Sequence, residues 1–297
     1  MSQQDTPTQY EKYYVPEQSI WPIVGAVALF LIAVGAGNYV IEVTKGKPGI
    51  GGYVLSAGLI TLVVMLFGWF KNQIDESMGG LYSAQLGRSY RQGMMWFIFS
   101  EVMFFAAFFG ALFYARTIAV PWLGGASNNV MTNEVLWPTF EAMWPLVNTP
   151  GGTETTAMPW QGLATYNTII LLISSVTLHF AHVGLEQNKR GQLNLMLLVT
   201  ILLGVTFLGL QAYEYIHAYN DLGLKLDSGI YGNTFFLLTG FHGMHVTLGT
   251  IILIVLYLRV LKGHFTPKEH FAFQAGSWYW HFVDVVWVML FIFVYIL

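Results

Sequence analysis

The stretch RQGMMWFIFSEVMFFAAFFGALFYAR, from Arg91 to Arg116, is an apolar run with one carboxylate inside it. A membrane-spanning helix needs about 20 mostly apolar residues, so this run reads as a span. Glu101 stands among Phe97, Phe99, Phe104 and Phe105, and an isolated charge is costly in such surroundings. It is ten residues beyond Arg91, roughly 15 Å along a helix, well inside the membrane and nearer the Arg91 side. A proton carrier, a binding anchor and an acid hydrogen-bonded to a neighbouring helix all remain open readings. Ala107, Ala111 and Ala115 recur at intervals of four, which predicts a small-residue face for close helix contact.

Composition extends this reading to the whole chain. Of its 297 residues, 55% are hydrophobic and 10% charged, with a mean hydropathy of +0.55. A soluble domain carries about 25% charged residues, so the chain is read as an integral membrane protein. A net charge of -3 gives no support to nucleic-acid binding. Cysteine is absent, which excludes disulfides, thiolate metal sites and cysteine nucleophiles. The opening MSQQDTPTQYEKYYVPEQS is polar and mildly acidic, unlike a signal peptide or an organellar presequence. Insertion is expected to be directed by the first span.

Seven runs meet the length requirement: Trp21–Ile41, Tyr53–Phe70, Gly93–Ala115, Leu163–Val183, Leu193–Tyr213, Thr234–Tyr257 and Trp278–Leu297. The expected fold is all-α, a polytopic bundle of seven transmembrane helices in one integral-membrane subunit, residues 1–297. Strand periodicity is missing. Lys12, Lys71, Arg88, Arg91, Lys189, Arg190, Arg259, Lys262 and Lys268 fall on one side, and Lys45, Lys47, Arg116 and Lys225 on the other. This asymmetry predicts a cytoplasmic or matrix N-terminus and an external C-terminus. The longest connection, residues 116–162, is then external and positioned to cover helix ends or neighbouring subunits. Trp21, Trp69, Trp160 and Trp278 near span ends fit interfacial anchoring.

Other polar residues enter the spans. His179 and His182 lie three apart, as do His242 and His245 on another run, a spacing that predicts a shared helix face. Neutral imidazole is a good metal or haem ligand. His182 is close to the charged EQNKR patch, however, and histidines three apart do not suit two haems stacked across a bilayer. Packing and polar contacts between helices are expected instead. His281 and Asp284 are also three apart, able to bond each other or separate partners. Gln211 and Glu214 end the fifth run near the outer surface, where Glu214 reads as an interfacial charge. GKPGIGG, residues 46–52, is a turn without a phosphate-binding frame, and no nucleotide, zinc-protease or nucleophile-elbow motif occurs.

Taken in order, RQGMMWFIFSEVMFFAAFFGAL, GLQAYEY, FHGMHVTLGT and WYWHFVDVVWVMLF resemble subunit III of the haem-copper respiratory oxidases, in the seven-helix form found with cytochrome c oxidases. The resemblance implies a two-helix arm, residues 21–70, and a five-helix portion, residues 91–297, around a V-shaped lipid-binding cleft. It implies a non-catalytic core subunit of an aa3-type cytochrome c oxidase, without a redox centre or bound metal of its own. Haem a, haem a3 and copper would belong to partner subunits, which reduce oxygen to water and translocate protons. The implied partners are subunits I and II, small accessory subunits and structural phospholipids, with cytochrome c as donor to the complex. By the same resemblance Glu101 matches a buried carboxylate that supports lipid binding or proton uptake. His182, Gln211, Glu214, His242, His245, His281 and Asp284 become structural polar contacts. His179 has no clear counterpart. Arg91 is a candidate for a lipid head group, because guanidinium matches phosphate well.

The implied location is a bacterial inner membrane, with the mitochondrial inner membrane as its equivalent. The nearer alternative is the corresponding subunit of a quinol oxidase, whose relatives often have five helices here. From another class comes a proton-coupled transporter, suggested by Glu101 and Asp284; inverted repeats and broken helices would support it, and neither is evident. Residue chemistry without the resemblance leaves transporter and scaffold nearly level.

Overall fold

The computed structural model describes residues 14, 15 and 17–297. Lys12, one of the charges used to orient the chain, lies outside the described residues, as does the polar stretch before Tyr14. Among the described residues the fold is all-α, apart from one isolated bridge between Asn148 and Glu154. Among the described residues, seven helices are long and apolar enough to cross a membrane. The chain forms two compact units, the first reaching to Tyr90 and the second Arg91–Leu297.

In the first unit, α1 (Trp21–Lys45) and α2 (Gly51–Met78) pair along small residues. Pro22 opens α1 and Gly46 closes it at φ 61°, a left-handed conformation that favours glycine. The Glu42 carboxylate then accepts the Gly51 N–H at 3.0 and 3.1 Å. The turn at residues 46–52 is therefore folded around a carboxylate of its own chain, which also meets the positive end of α2. Gly25, Ala28 and Gly35 are the buried positions of α1; Gly51, Gly58 and Met65 are those of α2. A Cβ on Gly35 would stand 2.3 Å from the Leu55 backbone nitrogen, and one on Gly58 2.7 Å from that of Ile32. Backbone contact this close needs glycine. Gly35→Val is expected to cost at least about 1–3 kcal/mol through overpacking. Thermal denaturation in mild detergent measures this; unchanged stability would contradict the close approach.

In the second unit, α3 (Ala84–Tyr114) passes into a π turn at Ala115–Ala119 and the short α4, Val120–Leu123. After α5 (Val130–Leu136) come α6 (Leu163–Glu186), α7 (Arg190–Asn220), α8 (Ile230–Leu261) and α9 (Phe271–Leu290), the last ending in a π turn, Phe291–Ile296. Several helices outrun their apolar windows, because hydropathy marks the stretch suited to hydrocarbon while the helix continues through polar ends. The most apolar window of α9 is 56% buried, against 11% in each of α1, α2 and α3. Thus α9 is the centre of the second unit, packed on α6 and α8.

The alanine stripe of α3 behaves differently from expectation. Ala107 and Ala111 are exposed and only Ala115, in the π turn, is buried, whereas Phe105 and Leu112 are buried along this part of α3. Phe104 meets Phe241 at 5.1 Å between ring centroids, Phe105 meets Phe282 at 6.3 Å, and Phe108 meets Phe241 at 5.1 Å. Large rings hold α3 against α8 and α9, so within the second unit the contact face is aromatic rather than small.

Part of the 116–162 connection covers helix ends. Leu146 and Met158 are buried in the hydrophobic core, with Phe140 and Trp144 packed on it. The Met158 N–H donates to the Tyr231 hydroxyl at 3.2 Å, and the Thr156 N–H to the Leu222 carbonyl at 3.0 Å. The connection is thereby fastened to the turn after α7 and to the first residues of α8.

Candidate functional site

The opening carboxylate has a partner 144 positions away in sequence: Glu101 Oε2 lies 2.9 Å from His245 Nε2. Their side chains retain 22% and 6% exposure. The rings of Phe105 and Phe104 flank the imidazole at 5.0 and 5.9 Å, and Tyr279 lies at 6.4 Å. His245 Nδ1 lies 2.6 Å from the Phe241 carbonyl. A carbonyl only accepts, so Nδ1 carries a proton and donates. Two forms of the Glu101 contact follow. A neutral imidazole accepts the proton of a neutral acid, or an imidazolium donates to a carboxylate. Either way one proton is shared by the pair, and no isolated charge is required.

His242 serves another neighbour. Its Nε2–H donates to the Val283 carbonyl at 3.2 Å, and its ring lies 5.0 Å from that of Trp287. Histidines three apart differ by about 60° around a helix, which lets His245 meet α3 and His242 meet α9. The same geometry divides the earlier pair: His179 is exposed, while His182 is half-buried against the Phe273 ring at 5.6 Å.

His281 and Asp284 converge on α6. The Ser175 hydroxyl hydrogen-bonds His281 Nδ1, and the Asp284 carboxyl faces that hydroxyl, outside strict hydrogen-bond geometry. On the adjacent residues Trp280 Nε1–H donates to Ser174 Oγ at 2.9 Å, and further along the same two helices Trp287 Nε1–H donates to Thr168 Oγ1 at 3.0 Å. Hydroxyls on α6 thus receive the polar edge of α9. The sequence reading missed Ser174, Ser175 and Thr168; small hydroxyls within apolar helices are the available signal for such contacts.

Glu214 is corrected from an interfacial charge. It is 1% exposed and Gln211 5%, because α7 continues to Asn220 and the bundle closes over both. The Tyr295 hydroxyl, also buried, faces Glu214 and Gln211. Arg91 is exposed at the other end of the unit. Its Nε–H donates to Gln274 Oε1 at 3.2 Å, and its guanidinium lies 5.6 Å from the centre of the Phe271 ring.

Seven apolar helices among the described residues, with polar side chains of the second unit meeting between neighbouring helices, define a multi-pass helical membrane protein. Its sequence carries the identification further. A sequence model of the family described as cytochrome c oxidase subunit III matches residues 11–297. Cytochrome c oxidase subunit 3 of Marchantia polymorpha is 38% identical over 293 residues, covering 97% of each chain. The Rattus norvegicus protein of the same name is 36% identical over 288 residues, again covering 97% of each. The probable cytochrome c oxidase subunit 3 of Rickettsia conorii is 36% identical over 292 residues, covering 97% of this chain and 94% of the relative. The chain belongs to the cytochrome c oxidase subunit III family, and that membership gives it a role in a cytochrome c oxidase complex.

Proposed function

We propose that this chain is a non-catalytic core subunit of an aa3-type cytochrome c oxidase. It packs on the catalytic subunit I, lies in the same complex as subunit II, holds structural phospholipids and sustains proton uptake. The haems, copper and oxygen chemistry belong to the partner subunits. The observation carrying this reading is that polar groups within the spans meet at separate helix contacts. Glu101 meets His245 on α8, His281 meets Ser175 on α6, and His242 meets the Val283 carbonyl on α9.

Wide apolar faces support packing against lipid or a larger subunit. Phe30, Phe67, Trp96 and Phe99 are among the exposed rings of α1–α3. Arg91, held against Phe271 and Gln274, presents a cation suited to lipid phosphate near the membrane surface. Glu101 supports proton uptake as half of a proton-sharing pair. The excess of lysine and arginine in the connections on one side favours an internal N-terminus in a bacterial inner membrane.

Affinity purification in mild detergent, with subunit identification and haem spectroscopy, tests the proposal. Recovery with a haem-a oxidase core and a copper-binding subunit II is expected. A quinol-oxidase core would favour that alternative. Reconstituted proton-coupled uptake by the purified chain, without an oxidase core, would favour a transporter.

A further inference from the structure

The end of α6 and the start of α9 bring together three potential ligands that the helix contacts do not account for. His182 and Glu186 lie one turn apart on α6, the spacing that stacks two side chains on one face. His270 immediately precedes α9. His182 Nε2 is 3.7 Å from Glu186 Oε1, beyond hydrogen-bonding distance, and the rings of His182 and His270 are 5.3 Å apart. One ligand atom from each of the three residues lies within 4.8 Å of the others.

Two details point these groups toward an ion. His270 Nδ1 donates to the Thr266 carbonyl at 3.1 Å, leaving a lone pair on Nε2 in the neutral ring. This resembles the outer hydrogen bond that orients a metal-binding imidazole. The supporting turn is itself held: the Thr266 N–H donates to the Glu269 carbonyl, and the Glu269 N–H to Thr266 Oγ1. His182 Nε2 is buried without a hydrogen-bond partner, although such atoms are ordinarily satisfied.

We propose that His182, Glu186 and His270 bind a zinc-class divalent cation, which clamps the end of α6 to the start of α9. Two imidazoles and a carboxylate suit zinc better than magnesium or calcium, which prefer oxygen ligands. Zinc bonds of about 2.0–2.2 Å place tetrahedral ligands roughly 3.3 Å apart. Side-chain rotation and movements of about 1 Å bring the groups to that separation. Exposed Glu186 leaves the remaining position to water. Lys189 and Arg190 follow on the chain, but Arg190 Nη2 is directed to the Phe265 carbonyl at 2.7 Å. The ion is structural and takes no part in electron transfer.

The test uses the intact oxidase complex, washed with chelator and dialysed against limiting zinc in excess magnesium. Zinc is measured per haem in the wild type and in His182→Ala and His270→Ala. Each variant is expected to retain one equivalent less, with at least about tenfold weaker binding. Zinc held by partner subunits cancels in the comparison. Equal retention by all three proteins overturns the proposal. Hydrogen exchange on wild-type complex supplies an independent test if a variant fails to assemble. Zinc, but not magnesium, should slow exchange in residues 182–190 and 266–274. Exchange there that is indifferent to zinc overturns the site.

Discussion

Trp280→Ala is expected to lower stability by about 3–5 kcal/mol, the usual cost of deleting a large buried aromatic side chain. Trp280 is fully buried in α9 and donates its indole N–H to Ser174 on α6. Its ring also fills space above two glycines. A Cβ on Gly204 of α7 would come within 2.7 Å of the ring, and one on Gly249 of α8 within 2.9 Å. One side chain therefore joins three neighbouring helices, and alanine would leave a cavity where they meet. Trp280→Phe retains much of the ring but loses the hydrogen bond, for an expected cost of about 1 kcal/mol plus the smaller ring's lost contacts. Denaturation of the purified complex by a graded anionic detergent checks both values. A loss below 1 kcal/mol for the alanine variant would remove Trp280 from this central position.

The second large effect concerns Glu101. Glu101→Gln is expected to assemble and keep substantial oxygen reduction, because the introduced amide can donate to His245 Nε2 in place of the acid. Proton exchange within the pair is lost, so weaker lipid retention or earlier loss of activity during sustained turnover is expected. Glu101→Ala removes the partner of a buried imidazole nitrogen and should cost about 1–2 kcal/mol. Comparing denaturation midpoints separates the variants, while oxygen consumption over many turnovers follows function. If Gln and Ala were equally destabilising, the hydrogen bond would not be the relevant interaction. Complete loss of oxygen reduction in a correctly assembled Gln variant would contradict a supporting role.

Glu101 and Glu214 show why local context was insufficient. Both were visible as carboxylates near or within apolar helices. Glu101 read as buried because large apolar residues surround it on both sides. Glu214 reads as interfacial because its apolar run ends at Tyr213, whereas helix continuation to Asn220 and the facing Tyr295 hydroxyl enclose it. The histidine pairs were legible as pairs, but their spacing did not specify which neighbouring helix each would meet.

The sequence alone determined the all-α character and the number of long apolar helices. These are local consequences of run length, and backbone groups in hydrocarbon must be satisfied within each helix. Its ordered motifs also pointed to the family. Tertiary structure decided that Phe105 and Leu112, rather than Ala107 and Ala111, lie on the buried face of α3. It decided that His245 shares a proton with Glu101, while Ser174 and Ser175 receive Trp280 and His281. These outcomes depend on helix rotation and on which helices become neighbours. Spacing within a single span cannot specify either, because each contact joins side chains far apart along the chain.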